Sequence, residues 1–395
     1  MKSIRDSFFT VFGVALVMGI AMCAMSQLSS LESRLISISF IFVLTSFFLK
    51  LFNHEIGRHD LELFVLSVVL VFVNVSISGS VAGFNYYKKS IMYLTFILWL
   101  ICSQSIVPNR SAVVLSIIII IAINLSYLYF YDQGFNVYEG EVLLTLNFPN
   151  PNQAGLFILN SIMYLAIPIF AGRDLGFTRK FCFFLIILFV PLVIETYQIM
   201  FQTGCRSSIL ALFFYCVLIL LDILLGERMM KIPNWLVLLI VTAPFILVFY
   251  YLAIAPNFAL DTSFGIEVGG KTSTSRIDTW APIINNIDHY LLFGDYYGIS
   301  NGTGVSQLHN THIDVLASYG LIPFILFVVI LFRVLSSTIK RAKTRLQRIA
   351  IYAFISCLVS GSFEASLVSG SAGMFLLTVG YLIVANYRYE DSFIQ

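Results

Sequence analysis

The sequence predicts an all-α fold, a polytopic membrane helical bundle, and three observations carry that prediction. Of 395 residues, 59% are apolar and only 11% are charged, whereas a soluble domain carries about 25% charged residues. The apolar residues gather into runs close to the roughly 20 needed to cross about 30 Å of hydrocarbon as a helix. Lysine and arginine are shared unevenly among the breaks between those runs, as orientation in a bilayer requires. Lipid is therefore expected to be the main solvent, and 1–395 reads as one integral-membrane domain.

About twelve runs qualify, near 8–27, 35–52, 61–79, 90–107, 111–131, 154–172, 181–203, 207–226, 234–255, 318–337, 347–362 and 371–387. The first is long enough to stay in the membrane and lacks a small-residue cleavage site, so no cleavable signal peptide is expected. The breaks carry turn chemistry at Pro108-Asn109, Gly172-Arg173, Pro233-Asn234 and Gly370. With the N-terminus in the cytoplasm, 17 of the 23 lysines and arginines fall on the inner side. The other 6 (Arg34, Lys88, Lys89, Arg206, Lys271 and Arg276) fall on the outer side. Both termini are then cytoplasmic, and the one long polar interval, 256–317, is a large outer loop containing short helices. A net charge of +2 gives no reason to expect nucleic acid as a partner. The six cysteines include no CxxC pair and read as buried small apolar residues, all but Cys205 lying inside apolar runs.

A polar loop of that length is unusual unless it carries function. On the outer side there is no ATP or nucleotide sugar, so a reaction there needs a donor already activated and already across the membrane. Lipid-linked diphosphates meet that condition. Arg206, in TGCRSSILALFF, stands at the outer start of a run. It reads either as an interfacial anchor snorkelling to headgroups or as a phosphate clamp, its planar guanidinium joined by the unpaired N–H groups of a helix start. Arg276, in STSRIDTW, opens a short amphipathic segment with Ile277, Trp280, Ile283, Ile284 and Ile287 on one face and Thr274 or Ser275 as N-cap. It reads either as a surface ion pair with Asp278 or as the second arm of the clamp.

His309-Asn310 precedes the tenth run on the same side. A lone histidine is more often structural, but an imidazole titrating near 6.5 also accepts a proton from a sugar hydroxyl at neutral pH. His312 lies one helical turn on. A His-x-x-His pair can bind metal, yet only Asp314 offers a weak third ligand, so neither metal nor cofactor is expected. The FPNPNQAG stretch reads as a turn in which Asn150 or Asn152 caps the next helix, or alternatively as the polar edge of a glycan groove. Within the runs, Glu195 and Glu364 could orient an arginine or His309, or form a proton path in a transporter; Asp222 is expected to pair with Arg228. Aromatic residues in and beside the loop suit either an interfacial belt or sugar stacking. No repeat and no similarity between halves is visible, which disfavours an inverted-repeat transporter.

Four of these segments, in this order, resemble the O-antigen ligase and O-antigen polymerase superfamily of bacterial envelope glycosyltransferases. They are FPNPNQAG, TGCRSSILAL, SRIDTWAPIINNIDHYLLFG and LHNTHIDVLASYGLIPF, spanning 148–324. The family pattern ends in His-Asn, an apolar residue and a Gly-Leu step into a helix, here His309, Asn310, Ile313, Gly320 and Leu321. Two departures are Pro323, where many members carry a second glycine, and His312, where a tyrosine or another bulky residue is common. The second leaves open which histidine contacts substrate.

The resemblance implies a metal-independent inverting glycosyltransferase of the bacterial inner membrane, its loop periplasmic. Its donor would be an undecaprenyl-diphosphate-linked glycan, with membrane lipids and a chain-length regulator as further partners. Arg206 and Arg276 would bind the diphosphate and His309 would be the general base. Asn310, His312, Glu195, Glu364 and Asn152 would support them. The FPNPNQAG turn resembles polymerases more than ligases, so repeat-unit polymerisation is the favoured activity. Ligation of finished polymer to lipid A-core is the alternative, and a lipid-glycan flippase a second.

Overall fold

A computed structural model describes residues 2–25, 29–126, 134–138, 141–148, 150–258, 275–295, 308–363 and 374–387. The chain is mostly helical. The helices run α1 (Lys2–Met25), α2 (Ser29–Phe52), α3 (Arg58–Ser103), α4 (Arg110–Asn124), α5 (Pro151–Ala171), α6 (Arg179–Phe201), α7 (Arg206–Leu225) and α8 (Asn234–Phe258). The short α9 (Ser275–Asn285), α10 (Ile287–Leu291) and α11 (Thr311–Tyr319) follow, then α12 (Leu321–Arg341), α13 (Arg345–Gly361) and α14 (Met374–Ala385). Between α4 and α5 the antiparallel strands β1 (Phe135–Tyr138) and β2 (Glu141–Leu144) pair Phe135 with Leu144 and Tyr138 with Glu141. This small hairpin is an addition to the all-helical expectation.

Among the described residues, five helical stretches are long and apolar enough to cross a membrane: Arg34–Phe52, Pro151–Ala171, Arg179–Phe201, Arg206–Met230 and Leu321–Arg341. Their burial separates centre from periphery. In α5, 89% of the most apolar stretch is buried, against 17% in α6. The exposed face of α6 carries Phe183, Phe184, Ile187, Leu188 and Ile194. A continuous apolar face of this kind is what lipid contact requires.

Local chemistry sets the helix ends. Asn109 caps α4, its side chain accepting from the Ala112 N–H at 2.8 Å. Asn150 caps α5 with Pro151 in its first turn, where a missing N–H costs nothing. Thr344 and Gln347 form a reciprocal capping box on α13. Of the cysteines, Cys23, Cys102, Cys205 and Cys357 are buried as expected, Cys182 is half-buried, and Cys216 is exposed on α7.

The long α3 is not a rod. A straight helix of its 46 residues would separate its ends by about 69 Å. Instead Asp60 and Gln104, at opposite ends, line one cavity of about 190 Å³. Asp60 pairs with Arg333 at 3.0 Å, and Gln104 donates to Thr338 Oγ1 at 3.1 Å, both on α12. The helix therefore doubles back. Its outgoing leg packs on α2 through Phe64 and Phe47, and its returning leg packs on α12 through Tyr93 and Phe96. The two legs correspond to the runs near 61–79 and 90–107.

One pairing differs from expectation. Asp222 does not pair with Arg228, because Gly226 takes φ 57 and turns the chain into a 3-10 turn that carries Arg228 away. The carboxylate instead faces α13. It accepts from Arg348 Nε at 2.6 Å and from the Tyr352 hydroxyl at 2.9 Å, with Arg345 Nε at 3.6 Å.

Candidate functional site

The loop helices form a docked unit. Trp280, on the apolar face of α9, is fully buried, and its indole N–H donates to the Leu308 carbonyl. Val248 of α8, Ile283, Tyr290, Ile313 and Ala317 complete a small separate core around it. An aromatic ring with its one polar atom bonded is well suited to such an anchor. Arg276 lies in the first turn of α9, one turn before this anchor. The Arg276 side chain, with Asp278 and Thr274, lies outside what the structure describes.

His309 is half-buried and has φ 50. That left-handed backbone costs a non-glycine residue about 1–2 kcal/mol, and such outliers gather at functional sites. The next residue holds it there. Asn310 is buried and uses every hydrogen-bonding position of its amide. Its Oδ1 accepts from the backbone N–H groups of His312 and Ile313, each at 3.0 Å, capping α11. Its Nδ2 donates to the carbonyls of Pro244 on α8 and Ser362 beyond α13, each at 2.8 Å. A side-chain amide alone can accept twice and donate twice in this way.

His312 is fully buried, its ring edge-on to Phe324 and Phe327 at 6.1 and 5.3 Å. Among the described residues no side chain pairs with either ring nitrogen. Burial pushes its imidazole down to about 4, and the Val241 backbone, as a hydrogen-bonding neighbour, opposes that without outweighing it. His312 is thus neutral at physiological pH. At the far end of α11, Gly320 has φ 89, and a Cβ there would lie 2.4 Å from the Leu292 carbonyl oxygen. Only glycine lets α10 and α12 approach this closely at the turn.

Arg206 opens α7 and is half-buried. Its guanidinium has no carboxylate partner among the described residues. Cys205 stands at the N-cap position without a side-chain capping bond, its Sγ lying 3.0 Å from Ser208 Oγ and 3.6 Å from the Asn152 carbonyl. A Cβ on Gly155 would sit 2.3 Å from the Cys205 Cβ. The FPNPNQAG and TGCR turns are therefore pressed together, and the hairpin is tied to them by Leu144 N–H donating to the Gln202 carbonyl at 2.9 Å. Asn150, not Asn152, is the cap.

These two groups share one end of the molecule. α7 and α13 pack antiparallel, since Asp222 near the end of α7 meets Arg348 near the start of α13. The Arg206 end of α7 thus lies beside the Gly361 end of α13, where Ser362 receives Asn310.

Other expected residues are not gathered here. Glu195 is exposed on α6, which packs chiefly on α5. Glu364 lies outside the described residues. Conversely, the structure places at α11 a group that sequence reading assigned only to the outer charge count. Lys89 of α3 is buried with its Nζ 2.9 Å from Asp314 Oδ1 and 3.0 Å from Ser318 Oγ. A pair 225 residues apart carries no local signal. A second, exposed pair joins His289 Nε2 to Asp295 Oδ2 at 2.7 Å. No known family model, characterised protein or solved structure matches the chain.

Proposed function

We propose that this chain is a membrane glycosyltransferase that joins undecaprenyl-diphosphate-linked repeat units of a surface polysaccharide at the periplasmic face of a bacterial inner membrane. In this reading about twelve spans cross the bilayer, both termini are cytoplasmic, and 256–317 is the periplasmic loop. The observation that carries the reading is the shared end of Arg206 and His309-Asn310. A half-buried guanidinium at a helix start, without a carboxylate among the described residues, suits an anionic headgroup. The strained His309 at that same end, its backbone held by Asn310, suits a proton acceptor.

The reaction is an inverting displacement. His309 takes the proton of the acceptor hydroxyl, whose oxygen attacks the anomeric carbon of the donor. The bond to the lipid diphosphate breaks, and Arg206 with Arg276 stabilises the charge that grows on the leaving group. Removing one such stabilising group costs roughly 10²–10³ in rate. Arg206→Ala, Arg276→Ala and His309→Ala are each expected to abolish polymer while the protein still reaches the membrane at normal level. Normal chain lengths from any of the three would remove that residue from the mechanism.

A deletion strain separates the alternatives. Lipid core bearing a single repeat unit is the expected product and marks a lost polymerase. Long lipid-linked polymer that never reaches the core marks a lost ligase. Repeat units held on the cytoplasmic leaflet mark a lost flippase.

A further inference from the structure

We infer that Lys89 is a positioning residue for this site, acting through Asp314 to hold α11, and with it His309-Asn310, in register against the bundle. The inference rests on the glycosyltransferase reading above. Lys89 reaches α11 from the returning leg of α3 and grips it at two points one turn apart, Asp314 and Ser318. Asp314 is in the first turn of α11, where its own N–H donates to the Asn310 carbonyl at 2.9 Å. The grip therefore bears on the turn that carries the Asn310 cap. Next along α3, the Tyr93 hydroxyl donates to the Pro323 carbonyl at 3.0 Å, so the same leg also holds the start of α12.

A buried ion pair is an expensive way to fasten a helix. Packed apolar residues of similar volume often hold as well or better, whereas leaving one charge without the other is strongly destabilising. What the ion pair adds is direction. An ammonium bonded at two fixed points permits one rotation and one height of α11, while an apolar patch permits several. α11 has only nine residues; Asn310 fixes its start and the Asp295 N–H bonds the Ala317 carbonyl near its end, while toward α3 and α12 it also meets the rings of Tyr93, Phe324 and Phe327, contacts that set no single height. A displacement of about 1 Å in a catalytic group can cost roughly a hundredfold in turnover.

The test separates fastening from positioning. Lys89→Met and Asp314→Leu are made singly and together, and Ser318→Ala alone. Thermal unfolding in detergent and turnover of a lipid-linked repeat unit are measured on the full chain. Each charged single variant is expected to unfold at lower temperature. The double variant is expected to regain wild-type unfolding temperature but to show kcat lowered about tenfold or more with KM unchanged. Ser318→Ala, which removes one grip point and keeps the pair, is expected to fold normally and to lose about threefold in kcat. A folded double variant with wild-type kcat overturns the inference. If the double variant does not fold, an unchanged kcat in Ser318→Ala overturns it instead. Absence of turnover in the wild-type chain overturns the functional reading and this inference with it, which distinguishes the two failures.

Discussion

At the scale of single residues, the His309-Asn310 step has a physical explanation that does not depend on the reaction. Asn310 satisfies two N–H groups and two carbonyls at once. Asn310→Ala strands all four, at roughly 1–3 kcal/mol for each buried group, so a large drop in unfolding temperature is expected. Asn310→Asp keeps the cap and is ordinarily among the best N-caps, yet it turns an oxygen toward two buried carbonyls. It is expected to be at least as destabilised as the alanine variant. Wild-type unfolding of Asn310→Asp would show that the donors contribute nothing. His309 behaves oppositely, because its backbone is strained in its own right. His309→Gly is expected to be more stable than His309→Ala by about 1 kcal/mol, since glycine enters the left-handed region freely. Both are expected to be inactive. Equal stability of the two would mean that the strain is relieved by surroundings that differ from those described.

At the scale of elements, the pairing of α7 with α13 relates the two halves of the site. Asp222 is its polar fastening, buried and bonded to both Arg348 and Tyr352. Asp222→Ala leaves Arg348 buried without its carboxylate, and a loss of about 3–5 kcal/mol is expected. Chemical or thermal unfolding in detergent measures it, and a loss under about 1 kcal/mol would place the strength of this contact in apolar packing. What the sequence made legible was whatever depends on near neighbours. The break at Pro108-Asn109, a cap at Asn150 or Asn152, the break before Asn234 and the apolar face of α9 around Trp280 each follow from chemistry within a few residues. The rest depends on which element meets which. Lys89 could not be matched to Asp314, nor Asp222 to Arg348, until the helices were side by side. The hairpin was missed for a related reason: its strands have four residues each, too few for an alternating pattern to stand out from an apolar chain.

At the scale of the whole molecule, acid is expected to loosen the fold from both ends. His312 has an ordinary value of 6.5 and is pushed to about 4 by burial, so the unfolded chain binds its proton first. The stability is complete above pH 6.5 and is lost as pH falls through this window toward about 4, by about 3 kcal/mol in all. At the opposite end, burial works against ionisation of Glu55, but its bonds from Arg5 at 2.6 and 2.7 Å and the nearby Lys50 outweigh it and hold the carboxyl below its ordinary 4.5. Its contribution is present above 4.5 and disappears as pH falls further. Unfolding temperature measured against pH is thus expected to decline first below 6.5 and again below 4.5. His312→Leu is expected to remove the first decline and keep the second. A flat profile between 6.5 and 4.5 in the wild-type chain would contradict the buried, neutral state of His312.

The knot at Asn310 ties together carbonyls supplied by Pro244 and Ser362, stretches of chain far apart in order of synthesis. During translation the histidine leaves the ribosome well before the segment that must clasp its neighbour. The Asn310 clasp therefore cannot be complete until α13 and Ser362 have been made. The left-handed step at His309 is in this way among the last parts of the fold to be locked.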